Sequence, residues 1–274
     1  MGELGQGSRL MAETFTTWRR FTPAQSALRF AGRLALVVAV AWSAAGMGIR
    51  WEFIADSPAQ VADLFRRMFP PDWGFTGELV SPLVQTINIA TLGTVAAVLL
   101  SVPVAFLAAR NTTFNRGTYA LGRVMMSVSR SVDSLIWALI FTIVVGPGSL
   151  AGALALAVRS IGFVSKLFAE GIEEIDRGQV EAVTATGAGR LAVLVFGIVP
   201  QIRPVFAGVC IYRWDINIRE STVLGIVGAG GIGFVLNNAI LGLEWSRVGL
   251  ILVVILGVVA VSEALSATVR KRVT

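Results

Sequence analysis

The chain has 274 residues, 55% of them apolar and only 15% charged, with a net charge of +6 and a mean hydropathy of +0.74. A soluble domain carries about a quarter charged residues, so this surface is too poor in charge to face water and lipid is its natural solvent. The single Cys (Cys210) and the absence of His exclude a disulfide framework, a Cys/His zinc site and a His-based triad. No catalytic residue and no metal ligand are therefore assigned.

Residues 1–27 are polar, with Arg9, Arg19 and Arg20, and read as a tail rather than a cleaved signal, because no small-residue cleavage site follows a short apolar stretch. Residues 28–274 read as one membrane domain. A spanning helix needs about 20 apolar residues. Leu34 to Ile49 is slightly short, but Arg29 and Arg33 can snorkel at its start and Trp51 can sit at the far interface. Leu79 to Ala109 carries no charge over 31 residues, longer than a bilayer needs, and Pro103 is the expected bend. Val124 to Val145 is the third predicted span. Gly146-Pro147-Gly148 turns the chain into a fourth, about Ser149 to Phe168. A polar stretch, Ala169 to Pro200, precedes the fifth span, Ile202 to Val223. A glycine-rich segment, Gly225 to Gly233, and a last span, Val248 to Leu265, complete the pattern. The expectation is an all-α polytopic membrane protein of about six transmembrane helices.

Six spans place both termini on one side, and that side collects 15 of the 23 cations, against four on the other and four within spans. Positively charged loops stay cytoplasmic, so both termini and the stretch Ala169 to Pro200 are expected in the cytoplasm. The same bias explains the +6 charge without nucleic acid as a partner.

The cytoplasmic stretch reads Glu181-Ala182-Val183, three residues, Gly187, then a run to Val199-Pro200. Gln179 to Thr186 is a short helix-forming segment, and Gly187 can end it with positive φ. Ala182 and Ala185 are small enough for a partner surface to approach. Glu181 near the helix start suits the macrodipole, and Pro200 can open the next helix. An ordinary inter-helix loop can also contain an acid and a glycine. The spacing resembles the signature loop of ABC importer permeases, Glu-Ala-Ala, three residues, Gly, nine residues, Ile, one residue, Leu-Pro. Val183 replaces the second Ala, Gly197 stands at the Ile position and Val199 at the Leu. The flanks resemble the phosphonate branch of that family: Ile172-Glu173-Glu174-Ile175-Asp176, Ile211-Tyr212-Arg213-Trp214-Asp215-Ile216-Asn217, Ser221-Thr222-Val223-Leu224-Gly225, and Arg130-Ser131 earlier in the chain. At Val132-Asp133 the family often has Pro-Glu. The resemblance covers roughly Leu79 to Leu265.

Gly228-Ala229-Gly230-Gly231-Ile232-Gly233 fits the dinucleotide pattern G-x-G-x-x-G, but that reading needs a strand before it and a βαβ unit around it. Between membrane spans the glycines, Gly230 and Gly231 among them, suit a tight or re-entrant segment lining a cavity. No phosphate-binding G-x-x-x-x-G-K-[ST] occurs.

Ionisable residues inside a bilayer face a bundle interior or a water cavity. Asp215 and Arg219, four apart, can pair on one helix face. Arg213 lies on another face, nearer Asn217 and Glu220. Arg130 and Asp133 are three apart, near the cytoplasmic end of their predicted span. Arg159 sits mid-span without a local acid. These charges read either as structural pairs fixing register or, for the spare cations Arg213 and Arg159, as aids to anion passage. Gln85 and Asn88 can line a pore or serve as interhelical glue.

The resemblance implies a type I ABC importer permease fold and a transport subunit rather than an enzyme. It implies a homodimeric path for phosphonate or related phosphorus oxyanions across the plasma membrane, two cytoplasmic ABC ATPases that bind ATP and magnesium, and an external solute-binding protein. Glu181, Ala182, Val183, Ala185, Gly187 and Pro200 would meet the ATPase. The pore or gate would be drawn from Arg159, Arg213, Asp215, Asn217, Arg219, Gly230, Gly231, Gln85 and Asn88. Phosphonates are the family default, with phosphite and phosphate as alternatives. A lipid-acting membrane enzyme would need a nucleophile–base cluster, and a passive channel would not need the signature loop.

Overall fold

The computed structural model describes residues 21–273 except 49; the tail cations Arg9, Arg19 and Arg20 lie outside the described residues. All regular elements among the described residues are helical. The chain divides into two compact units, residues up to Val61 and Ala62–Thr274.

In the first unit, α1 runs over Pro23–Gly46. It starts earlier than its apolar stretch suggests because Thr22 and Gln25 form a capping box: Gln25 N–H donates to Thr22 Oγ1 at 3.4 Å and Thr22 N–H to Gln25 Oε1 at 3.3 Å. With Pro23 at the first helical position, this satisfies the start of the helix. The next helix, α2 (Trp51–Met68), continues into the second unit and is amphipathic. Trp51, Ile54, Val61 and Phe65 recur at steps of three, seven and four residues and so share one face, with Glu52, Asp56 and Asp63 on other faces.

In the second unit, α3 (Thr76–Ala108) runs unbroken through both Pro82 and Pro103, so the bend expected at Pro103 does not interrupt the helix. The third predicted span is also corrected. It consists of two helices, α4 (Arg116–Ser131) and α5 (Ser134–Val145), which meet at an 88° break. Asp133 causes the restart: its side chain accepts from Leu135 N–H at 3.0 Å, the geometry of an N-cap. Then α6 (Ser149–Glu173) follows the Gly146-Pro147-Gly148 turn, whose glycines take φ of 90° and 142°. The polar stretch after it folds into α7 (Arg177–Ala185), a single helical turn α8 (Arg190–Ala192) and a π-helical turn, Val193–Ile198. That turn runs directly into α9 (Val199–Leu224). After the glycine-rich segment come a short helix α10 (Ile232–Leu241) and α11 (Trp245–Val273). Among the described residues, five helices are long and apolar enough to cross a membrane, or six if α4 and α5 count as one broken span.

The central helix of this unit is α6, which packs against α3, α4, α5 and α9. Small residues let the backbones approach, as in membrane bundles generally. A Cβ at Gly93 would lie 2.8 Å from that of Leu156, and one at Gly152 would lie 2.8 Å from the Ala229 carbonyl. At the α7 end, Phe168 and Phe206 stack with centroids 3.7 Å apart inside a cluster that includes Val164, Ile172 and Ile202. Large apolar side chains such as Leu92, Leu99, Ile143 and Leu256 stay exposed, as a lipid solvent permits.

Candidate functional site

Two arrangements carry chemistry: the exposed helix α7 and a polar seam buried between α3, α6, α9 and α11.

The sequence of α7 sets its boundaries two residues before the expected start. Asp176 caps it, accepting from Gly178 N–H at 2.9 Å. Glu181 therefore lies mid-helix, and the favourable interaction with the helix start belongs to Asp176. At the other end Gly187 takes φ of 79°, with open space where a Cβ would stand. Val180 and Val183 are half-buried: Val180 packs on the cluster at this end of the bundle, and both lie beside Gly197. Glu181, Ala182 and Ala185 point away, all three exposed. Among the described residues Glu181 forms no ion pair. The helix is thus seated through valines and presents one acid between small residues. Gln201, in the first turn of α9, locks it in place. Its Oε1 accepts from Asp176 N–H at 2.9 Å, and its Nε2 donates to the Gly197 carbonyl at 2.7 Å. Pro200, next to it, is exposed at the second position of α9.

The seam begins at α9. Arg213 is not a spare cation. Its Nη2 lies 3.2 Å from Glu220 Oε2, its Nε donates to Ser160 Oγ at 2.8 Å, and its side chain is 4% exposed. Its guanidinium also lies over the Phe163 ring. Asn217, fully buried, donates to Thr94 Oγ1 at 2.8 Å and accepts from Ser160 Oγ at 3.3 Å, joining α9 to α3 and α6. Asp215 pairs with Arg219 and also accepts from Ser262 Oγ of α11 at 2.8 Å. Arg219 keeps 46% of its side chain exposed, whereas that of Asp215 is 5% exposed. Arg159 is half-buried on α6, and its Nε is buried with no hydrogen-bond partner among the described residues.

The glycine-rich segment is pinned to α3 and α6. Gly231 N–H donates to Gln85 Oε1 and Ile232 N–H to Thr86 Oγ1, both at 2.8 Å, and Gly148 N–H donates to the Gly228 carbonyl at 2.9 Å. Gly228, Gly230 and Gly231 take φ of 85°, 78° and 74°, and a Cβ at Gly231 would meet Thr86 Oγ1 at 2.6 Å. Gln85 is committed to this contact. Asn88, one turn on, is exposed and lines a cavity of about 470 Å³ with Ser81, Gln85 and Ser149.

Arg159, Arg213 and Asn217 thus lie along the α6–α9 contact, Asp215 and Arg219 lie on the face of α9 that meets α11, and Gln85, Asn88, Gly230 and Gly231 gather where α3 meets the turn before α6. Reading the residues in order missed Ser160, Thr94 and Ser262, which join the helices. Small hydroxyl residues in an apolar stretch give no individual signal until the facing helix is known.

Residues 101–274 match the model of the family described as "Binding-protein-dependent transport system inner membrane component". The chain is 44% identical to the phosphite transport system permease protein PtxC of Stutzerimonas stutzeri over 77% of each chain. It is 42% identical to the phosphate-import permease protein PhnE of Mycolicibacterium smegmatis over 80% of this chain, spanning 41% of that longer protein. Among solved structures, a chain of the MetNI methionine ABC transporter in an inward facing form superposes with a TM-score of 0.65. The match covers 74% of this chain and 99% of that chain at 19% identity, a likeness of fold.

Proposed function

The chain belongs to the inner membrane components of binding-protein-dependent transport systems, in the phosphonate-type ABC importer branch, and from that premise we propose how it works. It is a multi-pass transport subunit rather than an enzyme, and membership of this family implies an ATPase and a binding protein as partners. In our reading it pairs with a second copy of itself in the plasma membrane. Two cytoplasmic ABC ATPases holding ATP and magnesium serve the pair, and an external solute-binding protein delivers a phosphonate or a related phosphorus oxyanion such as phosphite or phosphate. Both termini are cytoplasmic, residues 1–27 form a tail, and residues 28–274 form the permease domain.

One observation carries the coupling role: α7 is exposed, seated by two valines and presents Glu181 between Ala182 and Ala185. Such a surface admits another protein closely and offers it a fixed negative charge. Gly187 sets its exit angle. Gln201 and Pro200 pass its movement to α9, which carries Arg213, Asp215, Asn217 and Arg219. ATP binding in the partner moves α7, and α9 re-gates the path as alternating access requires.

Co-expression with the two candidate partners tests this directly. A stoichiometric ATPase should copurify, and proteoliposomes should take up phosphorus oxyanions only with ATP and loaded binding protein. Uptake without ATP would point to a passive channel.

A further inference from the structure

The 88° break between α4 and α5 lies against α6 and not at either of its ends. It meets α6 at its middle. Ser129 Oγ accepts from Gly162 N–H at 2.9 Å and lies within hydrogen-bond reach of the Val158 carbonyl, and a Cβ at Gly162 would stand 2.7 Å from Arg130 Cγ. The stem of Arg130 therefore crosses α6 beside Gly162, one turn from Arg159. Arg159 and Gly162 are the eleventh and fourteenth of the 25 residues of α6, counting from Ser149. On the neighbouring flank, Ser160 holds Arg213, which lies close enough to Arg159 for their charges to repel.

Arg159 and Arg213 thus lie together at the middle of one spanning helix, and the stem of the exposed Arg130 reaches the same helix beside Gly162. The acids nearby are Glu220, which is bonded to Arg213, and Asp133, which caps α5. Neither Arg130 nor Arg159 has an ion-pair partner among the described residues, and the buried Nε–H of Arg159 donates to nothing. Trp137, one turn into α5, has a second buried donor, Nε1–H, without a partner. The fold uses neither donor, yet an uncompensated cation inside a bilayer is costly. A guanidinium fork matches a phosphorus oxyanion in shape and charge.

We propose that Arg159, with Arg130 beside it at the α4–α5 break, binds the transported phosphorus oxyanion midway along the membrane path, while Arg213 stays committed to Glu220. This rests on the importer reading above. The site discriminates by charge, holding a dianion more strongly than a monoanion of similar size.

The test uses the full transporter, with ATPase and binding protein, in liposomes of phosphatidylcholine with and without phosphatidylglycerol. Uptake of phosphate and of methylphosphonate is measured across a pH range for wild type, Arg159→Gln and Arg159→Lys. Arg159→Gln should lower maximal uptake at least tenfold while ATPase stimulation by loaded binding protein persists. It should also flatten the preference for the doubly charged form, and Arg159→Lys should restore part of both. Wild-type uptake and charge preference in Arg159→Gln would overturn the proposal. So would loss of assembly in both variants, which would make Arg159 structural. A defect seen only with phosphatidylglycerol would assign the site to lipid phosphate and equally overturn it. Absence of phosphorus-oxyanion uptake by the wild type would instead sink the importer reading.

Discussion

The carboxylate of Asp215 accepts a hydrogen bond from Ser262 at 2.8 Å, tying α9 to α11, while its other oxygen holds Arg219 on the next turn of α9. A buried carboxylate stripped of its cation is an uncompensated charge, whereas removing both partners removes the liability. Asp215→Asn and Arg219→Gln should each lower the melting temperature in detergent, and the double variant should recover much of the loss. The coupling energy expected from such a cycle is about 0.5–3 kcal/mol. Ser262→Ala should loosen α11 without creating a bare charge, so its effect should be smaller than that of Arg219→Gln. Strictly additive losses would show that the pair does not act as a unit.

The α7 region should separate assembly from transport. Gly187 at φ of 79° cannot be replaced by proline, whose ring holds φ near about −65°, without redirecting the chain after the helix. Glu181→Lys reverses the charge on an exposed face. Both variants should reach the membrane in normal amounts, bind ATPase more weakly and lose at least tenfold in uptake. Wild-type uptake in both would remove α7 from the coupling path.

Much of this was legible in the chain. The signature segment announced its helix, its positive-φ exit at Gly187 and the proline at the head of α9. The i, i+4 spacing announced the Asp215–Arg219 pair, and the seven-residue spacing put Glu220 on the face of Arg213. Two features were readable but misjudged. Thr22 and Gln25 spell a capping box, so α1 begins well before its apolar run. Asp133 before an apolar stretch is an N-cap signal, yet 22 apolar-rich residues from Val124 to Val145 read as one span. Hydropathy averages over a break that one side chain creates. Where Ser160, Thr94 and Ser262 point was not legible, because a hydroxyl's partner depends on which helix lies opposite.

The glycine-rich segment makes a stability prediction with its own control. A Cβ at Gly233 would stand 1.8 Å from the Thr222 carbonyl oxygen, and one at Gly208 would meet nothing within 4 Å. Overpacking of a tight site costs about 1–3 kcal/mol, and here the obstacle is backbone that cannot rotate away. Gly233→Ala should cut the yield of monodisperse protein severely. Gly208→Ala, inside α9, should leave it unchanged or improve it. Equal behaviour of the two would mean that the α9–α10 contact is looser than described.

The sidedness proposed from the cation bias can be read chemically. Cys210 is the sole thiol, so Cys210→Ser gives a clean background for single cysteines at Arg67 and at Thr274. In intact cells an impermeant maleimide should label the first and not the second. Labelling of both from outside would refute the assignment of the termini.

The hydrogen bonds of Gln201 fasten α7 to the foot of α9, and α9 then continues for 26 residues to Leu224. At about 1.5 Å per residue this is a rod of about 39 Å, so a tilt of about 10° at its foot sweeps its far end through about 7 Å. A rod turned near its foot is a lever with unequal arms. If α7 is driven as proposed, a small stroke at the foot of α9 is multiplied at its far end, where Gly225 packs directly on the backbone of Gly233. Mechanical advantage runs in reverse as well. A load applied at that far end would reach α7 as a small displacement with a proportionately larger force, so under the proposed coupling occupancy at one end of α9 would be felt by a partner seated on α7.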